Sequence, residues 1–170
     1  INSECAFNIG ARRITISTNG IIGGIKKLAG EDLQIELSIS LHAADGKTRS
    51  TLMPVNKKYP LEELIDTCKD YMEKTGRQVT FEYVLIKGVN SALKDAQNLS
   101  EIFKGVKLHK INLIPANPVR ELKIQPPNKL EVLLFRDYLV KQGMNVTLRK
   151  SRGIDIDAAC GQLRLKYENK

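Results

Sequence analysis

The segment "DIDAACGQL", residues 155 to 163, puts two carboxylates, a thiol and several small residues directly after the basic stretch "RKSRG". A thiol in that setting can be a nucleophile, a metal ligand or a small apolar residue packing a terminal helix. Arg149, Lys150 and Arg152 would lower its pKa, whereas Asp155 and Asp157 would oppose that and would suit the first turn of a helix. The residues alone leave Cys160 open among the three roles. Cys68 shares a helical face with Leu61, Leu64 and Ile65 and reads as core, and Cys5 has no chemical context. Cysteines this far apart and odd in number define neither a CxxC metal site nor a disulfide framework.

The remaining candidates stand at the ends of strand-like runs. His42 and His109 are the only histidines and fall at opposite ends of their strands, which argues against a two-histidine metal site. His42 closes a polar strand face, where it could hydrogen-bond a ligand or serve structure; His109 is expected on the far side. Asn117, between two prolines in "NLIPANP", is either a rigidly presented amide, donor and acceptor at once, or an Asn-Pro turn. Gly20, Gly23 and Gly24 match neither the dinucleotide fingerprint nor the Lys-terminated phosphate loop, and read as a tight turn from strand to helix.

Positioning these groups requires strands, and four runs qualify: "RRITIST" (12 to 18), "QIELSISL" (34 to 41), "QVTFEYVLI" (78 to 86) and "HKINLIP" (109 to 115). "MNVTLRKS" makes a fifth. Helical patterns lie between them over 21 to 29, 60 to 76, 91 to 105 and 128 to 143, the last three ending at glycines suited to C-caps, and a short helix is expected over "IDAACGQLRL". Strands alternating with helices imply parallel βα units, and no internal repeat or low-complexity segment interrupts them. In the second strand Ile35, Leu37, Ile39 and Leu41 alternate with Glu36, Ser38, Ser40 and His42; in the first, Ile14 and Ile16 alternate with Thr15, Ser17 and Asn19. A doubly wound sheet is covered on both faces and would be apolar on both. One polar face suits an incomplete barrel whose interior meets cofactor and water, with an edge strand facing solvent as the plainer alternative.

Polar groups also collect at the strand ends: Ser17, Thr18 and Asn19; Ser40 and His42; Lys87 and Asn90; Asn117; and Arg149, Lys150 and Arg152. Parallel βα architectures carry their sites there. Lys47, Arg49, Lys57, Lys58, Arg120 and Lys123 follow the same ends, so the basic excess either surrounds one mouth and meets phosphates or is a solvated surface.

The bulk figures fit one domain with a real core: 170 residues, 42% hydrophobic. Against 19 acidic residues stand 27 Lys and Arg, a formal charge of +8 that favours a polyanionic partner. With 5% aromatics and no Trp, a platform stacking single-stranded bases is disfavoured. No apolar run approaches a membrane span, and the first residues do not resemble a secretory signal, so a cytoplasmic protein without membrane association is expected. The start at Ile1, already approaching a strand, reads as a fragment of a longer protein.

Together, "RRITISTNG", "LSISLHA", "RSTLMPVNKKY", "FEYVLIKGVN", "KINLIPANP" and "RKSRGIDIDAACGQL" resemble the radical SAM adenine-C-2 methyltransferases that modify 23S ribosomal RNA and certain tRNAs, from about Asn8 to Leu163. The last block matches that family's methyl-carrying cysteine signature. The resemblance implies an α/β fold, a partial radical SAM (β/α)6 TIM-like barrel containing its later strands only, with a C-terminal strand and short helix. It implies one domain over 1 to 170, with βα units over 8 to 127 and an extension over 128 to 170 carrying the cysteine. It places S-adenosylmethionine on Ser17, on Ser40, Leu41 and His42, and on Asn117, and it makes Cys160 the S-methylcysteine. In the family, one S-adenosylmethionine methylates that sulfur and a second is cleaved to a 5'-deoxyadenosyl radical, which takes a hydrogen from the S-methyl group. The carbon radical then adds to carbon 2 of adenine, an electron-poor position that polar methyl transfer does not reach. The implied cofactors are S-adenosylmethionine and a 4Fe-4S cluster fed by a reducing electron donor.

The chain departs from the family's pattern in several blocks. It has no CxxxCxxC, no glycine- and glutamate-containing block on a preceding strand, no N-terminal RNA-binding region, no catalytic glutamate and no second catalytic cysteine. The chain alone is therefore expected to be inactive, to bind S-adenosylmethionine weakly or not at all, and to associate through an exposed strand edge. The rival readings are the carbon-8 methyltransferase of the same superfamily, a non-enzymatic basic RNA-binding domain, and an ordinary α/β barrel enzyme using Cys160 as a thiolate.

Overall fold

Period-two alternation and helical periodicity resolve into five parallel strands and five helices in a computed structural model that describes residues 7–118 and 124–149. Strands β1 (Thr15–Thr18), β2 (Glu36–Ser40), β3 (Val79–Leu85), β4 (His109–Pro115) and β5 (Val146–Leu148) form one sheet in the order β1-β2-β3-β4-β5. Helix α1 (Ile22–Leu28) follows β1; α2 (Gly46–Leu52) and α3 (Leu61–Thr75) follow β2; α4 (Leu93–Ile102) follows β3; α5 (Lys129–Lys141) follows β4. Sequential order matters here. Right-handed crossovers that always step the same way bring their helices back to one side of the sheet, as in a barrel wall.

The packed side is apolar. Leu37, Ile39 and Leu41 from β2 and its end, Val79, Phe81, Tyr83 and Leu85 from β3, and Ile111 and Leu113 from β4 are buried with Leu61, Leu64, Ile65, Cys68 and Met72 of α3. Phe103 stacks on His109 with ring centroids 5.0 Å apart, and Tyr83 meets Phe135 of α5 at 5.6 Å. The helix ends obey local rules. Gly76, at φ 64°, is the left-handed C-cap of α3, and Asn128 and Glu131 form a reciprocal capping box at α5, Asn128 Oδ1 accepting from Glu131 N at 2.9 Å.

Three sequence expectations shift. Arg12 and Arg13 belong to a 3-10 turn, Ala11–Arg13, so β1 begins later than the alternation suggests. Helix α2 was not anticipated. Cys5, Arg120, Lys123, Lys150, Arg152, the expected last helix and Cys160 lie outside the described residues. Among the described residues no helix is long and apolar enough to cross a membrane.

Candidate functional site

Side chains that alternate away from the core build a polar layer across the other face of the sheet. Register places Ser17 opposite Ser38, Ser38 opposite Thr80, Ser40 opposite Glu82, Glu82 opposite Asn112, and Asn112 opposite Thr147. Hydrogen bonds join four strands along that layer. Ser38 Oγ donates to Glu82 Oε1 at 3.3 Å, Asn112 Nδ2 donates to Glu82 Oε2 at 2.9 Å, and Thr147 Oγ1 donates to Asn112 Oδ1 at 3.2 Å. Glu82 has no cation within salt-bridge distance among the described residues.

The C-terminal rim of this layer is fixed by His42, Asn90 and Arg49. His42 adopts φ 57°, and Asn90 Nδ2 donates to its carbonyl oxygen at 2.7 Å and to that of Val84 at 2.7 Å. Asn90 Oδ1 accepts from Ile86 N, so this buried amide clamps the end of β3 to the end of β2. Ring nitrogen Nδ1 of His42 accepts from Val84 N at 3.2 Å, which assigns the proton to Nε2, and the ring also meets the backbone carbonyl of Glu82. Burial, with the Arg49 charge nearby, lowers the His42 pKa to about 4, so the ring is neutral at ordinary pH. Arg49 is 0% exposed and donates to Leu41 O, Asn56 Oδ1 and Asn19 O. It thus ties the turn after β1 to the end of β2. Gly20 makes this approach possible: at φ 105° it favours glycine, and a Cβ there would meet Leu64 Cδ2 at 2.8 Å and Arg49 Nη2 at 3.2 Å.

The candidates fall into distinct environments. Ser17 is exposed on the polar face, and Ser40 and His42 are half-buried beside β3. Leu41 points into the core, with its N–H bonded to Glu82 O and its carbonyl bonded to Arg49. Asn117 follows β4 past the level where Leu85 pairs with Pro115, and its Oδ1 is buried with no hydrogen-bond partner among the described residues. The Asn117 amide oxygen at the end of β4 has an unmet acceptor position, and the polar face of the sheet offers hydroxyls, a neutral imidazole and a carboxylate, groups that suit a polar ligand carrying donors and positive charge. Asn90, grouped with the strand-end residues by sequence, is a structural clamp. Arg49 is sealed inside rather than free to meet a phosphate, whereas Lys47, Lys57, Lys58 and Arg149 are exposed.

The other candidates resolve simply. His109 lies on the core side, its Nδ1 donating to Val106 O at 2.6 Å, and Cys68 is a buried free thiol whose pKa burial pushes up to about 12. The glycine-rich segment is a tight turn in which Thr18 Oγ1 accepts from Gly20 N and Ile21 N. Sequence reasoning missed Glu82, Asn112 and Thr147. The same alternation that marked Ser38 and Ser40 marks Glu82, between buried Phe81 and Tyr83. Among the described residues no group of three His, Cys, Asp or Glu side chains is placed to hold a metal ion, so they do not fit an iron-sulfur cluster. A groove of about 590 Å³ between α4 and α5, lined by Leu93, Leu134 and Tyr138, belongs to the helical side and shares no residue with the polar layer.

No family model matches the chain. A probable dual-specificity RNA methyltransferase RlmN of Lachnospira eligens is 49% identical over 167 residues, 98% of this chain and 47% of that protein. The protein of the same name from Geobacillus kaustophilus is 50% identical over 166 residues, 98% of this chain and 45% of that protein. The chain thus spans about half the length of the curated relatives it matches. Among solved structures, a radical SAM methyltransferase from Sphaerobacter thermophilus aligns with a TM-score of 0.90 at 45% identity, over 95% of this chain and 47% of that one. A domain of pyruvate-formate lyase-activating enzyme from Bacteroides vulgatus aligns with a TM-score of 0.64 at 20% identity, over 80% of each chain, a likeness of fold alone.

Proposed function

We propose that this chain, which belongs to the radical SAM dual-specificity RNA methyltransferase family, forms part of an enzyme that methylates carbon 2 of an adenine in 23S ribosomal RNA and in tRNA. The observation that supports the reading is the set of polar residues at the C-terminal ends of the strands, with Ser17, Ser40 and His42 at the ends of β1 and β2 and Asn117, whose buried Oδ1 has no partner among the described residues, just past β4. In this reading Ser17 and Ser40 offer hydroxyls to the ligand, the neutral His42 ring donates through Nε2, and Asn117 takes a ligand donor on Oδ1. Leu41 contributes by anchoring the rim, since both its backbone groups are already bonded. Bound S-adenosylmethionine supplies the methyl group and, on reduction by an iron-sulfur cluster, radical chemistry suited to an electron-poor carbon. The cluster's ligands come from outside this chain, as does its electron donor. Cys160, outside the described residues, carries the methyl group on sulfur and then presents it as carbon to the base. The chain is one domain, with βα units over 8 to 127 and an extension over 128 to 170, and its exposed Lys47, Lys57, Lys58 and Arg149 lie on segments leaving the strand ends, where RNA phosphates would approach.

The test is Cys160→Ala in the full protein. Methyl transfer to RNA is expected to fall at least about a thousandfold, while S-adenosylmethionine binding, measured anaerobically by equilibrium dialysis, stays within about twofold of wild type. Retained methylation would overturn the role of Cys160, and product mapping that places the methyl group on carbon 8 would overturn the regiochemistry.

A further inference from the structure

Glu82 is a half-buried carboxylate at the centre of the polar layer. Two neutral donors, Ser38 and Asn112, orient it and occupy one position on each oxygen. A carboxylate accepts at about four lone-pair sites, so each oxygen keeps capacity for another partner. No Lys, Arg or His among the described residues lies within salt-bridge distance, although the chain carries a formal +8. Partial burial of a charge without a counter-ion is unfavourable, and the cost is tolerated most readily where a ligand supplies the opposite charge. The register fixes where such a ligand would sit. Ser40 is the direct partner of Glu82 across β2 and β3, so their side chains stand next to each other on one face, roughly 5 Å apart at the strand spacing.

We propose that Glu82 is the counter-charge for a cationic centre of the bound cofactor, held in place by Ser38 and Asn112. The inference rests on the reading that Ser40 lines the S-adenosylmethionine site. That ligand offers two cations, a sulfonium, which cannot donate a hydrogen bond and responds to charge alone, and an α-ammonium, which can donate to a free carboxylate position.

The experiment compares three ligands on the full protein, wild type and Glu82→Gln, by anaerobic equilibrium dialysis: S-adenosylmethionine with both cations, S-adenosylhomocysteine with the ammonium only, and 5'-methylthioadenosine with neither. Glu82→Gln is expected to weaken S-adenosylmethionine about tenfold or more, as for loss of one close charge pair, and 5'-methylthioadenosine by less than about twofold. A tenfold loss for S-adenosylhomocysteine as well assigns the ammonium; no loss assigns the sulfonium. Equal losses for S-adenosylmethionine and 5'-methylthioadenosine, or none for either, overturn the inference while leaving the cofactor site standing. A wild-type protein that binds neither ligand overturns the cofactor reading itself and the role of Glu82 with it. Should Glu82→Gln not fold, Glu82→Asp keeps the charge and is expected to retain a reduced preference for S-adenosylmethionine over 5'-methylthioadenosine; an unchanged preference there counts against Glu82 as the contact.

Discussion

His42 combines a left-handed backbone, a neutral ring and a position at the rim, and each depends on its neighbours. The φ of 57° costs a non-glycine residue on the order of 1 kcal/mol, offset by the Asn90 bond to its carbonyl and the Val84 bond to its ring. Its pKa, lowered to about 4 by burial and then by Arg49, makes folding sensitive to acid. The unfolded chain takes up the proton near pH 6.5 and the folded one resists it, so this stability is complete above about 6.5 and is lost as pH falls towards 4. His42 alone accounts for a loss on the order of 3 kcal/mol, and His109, lowered in the same direction by burial, adds to it. Urea midpoints measured at pH 7, 5.5 and 4 are expected to fall in that order, and more shallowly in His42→Asn, whose side chain tolerates the same backbone region. A flat profile in the wild type would refute the assignment. His42 was readable as a rim residue because it ends an alternating strand. Its tautomer was not, because the bond that sets it comes from Val84, 42 residues away.

At the level of elements, the turn from β1 to α1 places Asn19 against Arg49, and Gly20 is its tightest point. Gly20→Ala would force a Cβ to 2.8 Å from Leu64 at φ 105°, and thermal unfolding is expected to show a loss on the order of 2 kcal/mol. An unchanged melting temperature would mean that the turn can relax. Strands and long helices were legible because their faces are written in local periodicity, as in Leu61, Leu64, Ile65 and Cys68, all buried. Helix α2 was not: "GKTRSTL" has one apolar residue, at its end, and its start depends on Asp45 accepting from Thr48 N at 2.8 Å. The network around Glu82 escaped for another reason. Asn112 and Thr147 reach it only through the register of β3, β4 and β5, across 30 and 35 residues, and no local pattern encodes register.

For the molecule as a whole, the sheet has two edges and one polar face. The outer edge of β1 has no strand partner among the described residues, and Ile16 on it is 38% exposed. Unpaired edges recruit other strands. The chain expressed by itself is therefore expected to elute from size exclusion with light scattering as dimers or larger species that grow with concentration; a monomer at all concentrations would contradict this. Arg49 adds a mechanical consequence. Because one rigid guanidinium grips Asn19, Leu41 and Asn56 together inside the protein, the lips contributed by β1 and β2 cannot open separately. A displacement of the chain at Asn19 is passed through the same cation to Leu41, so the ends of β1 and β2 behave as a single jaw.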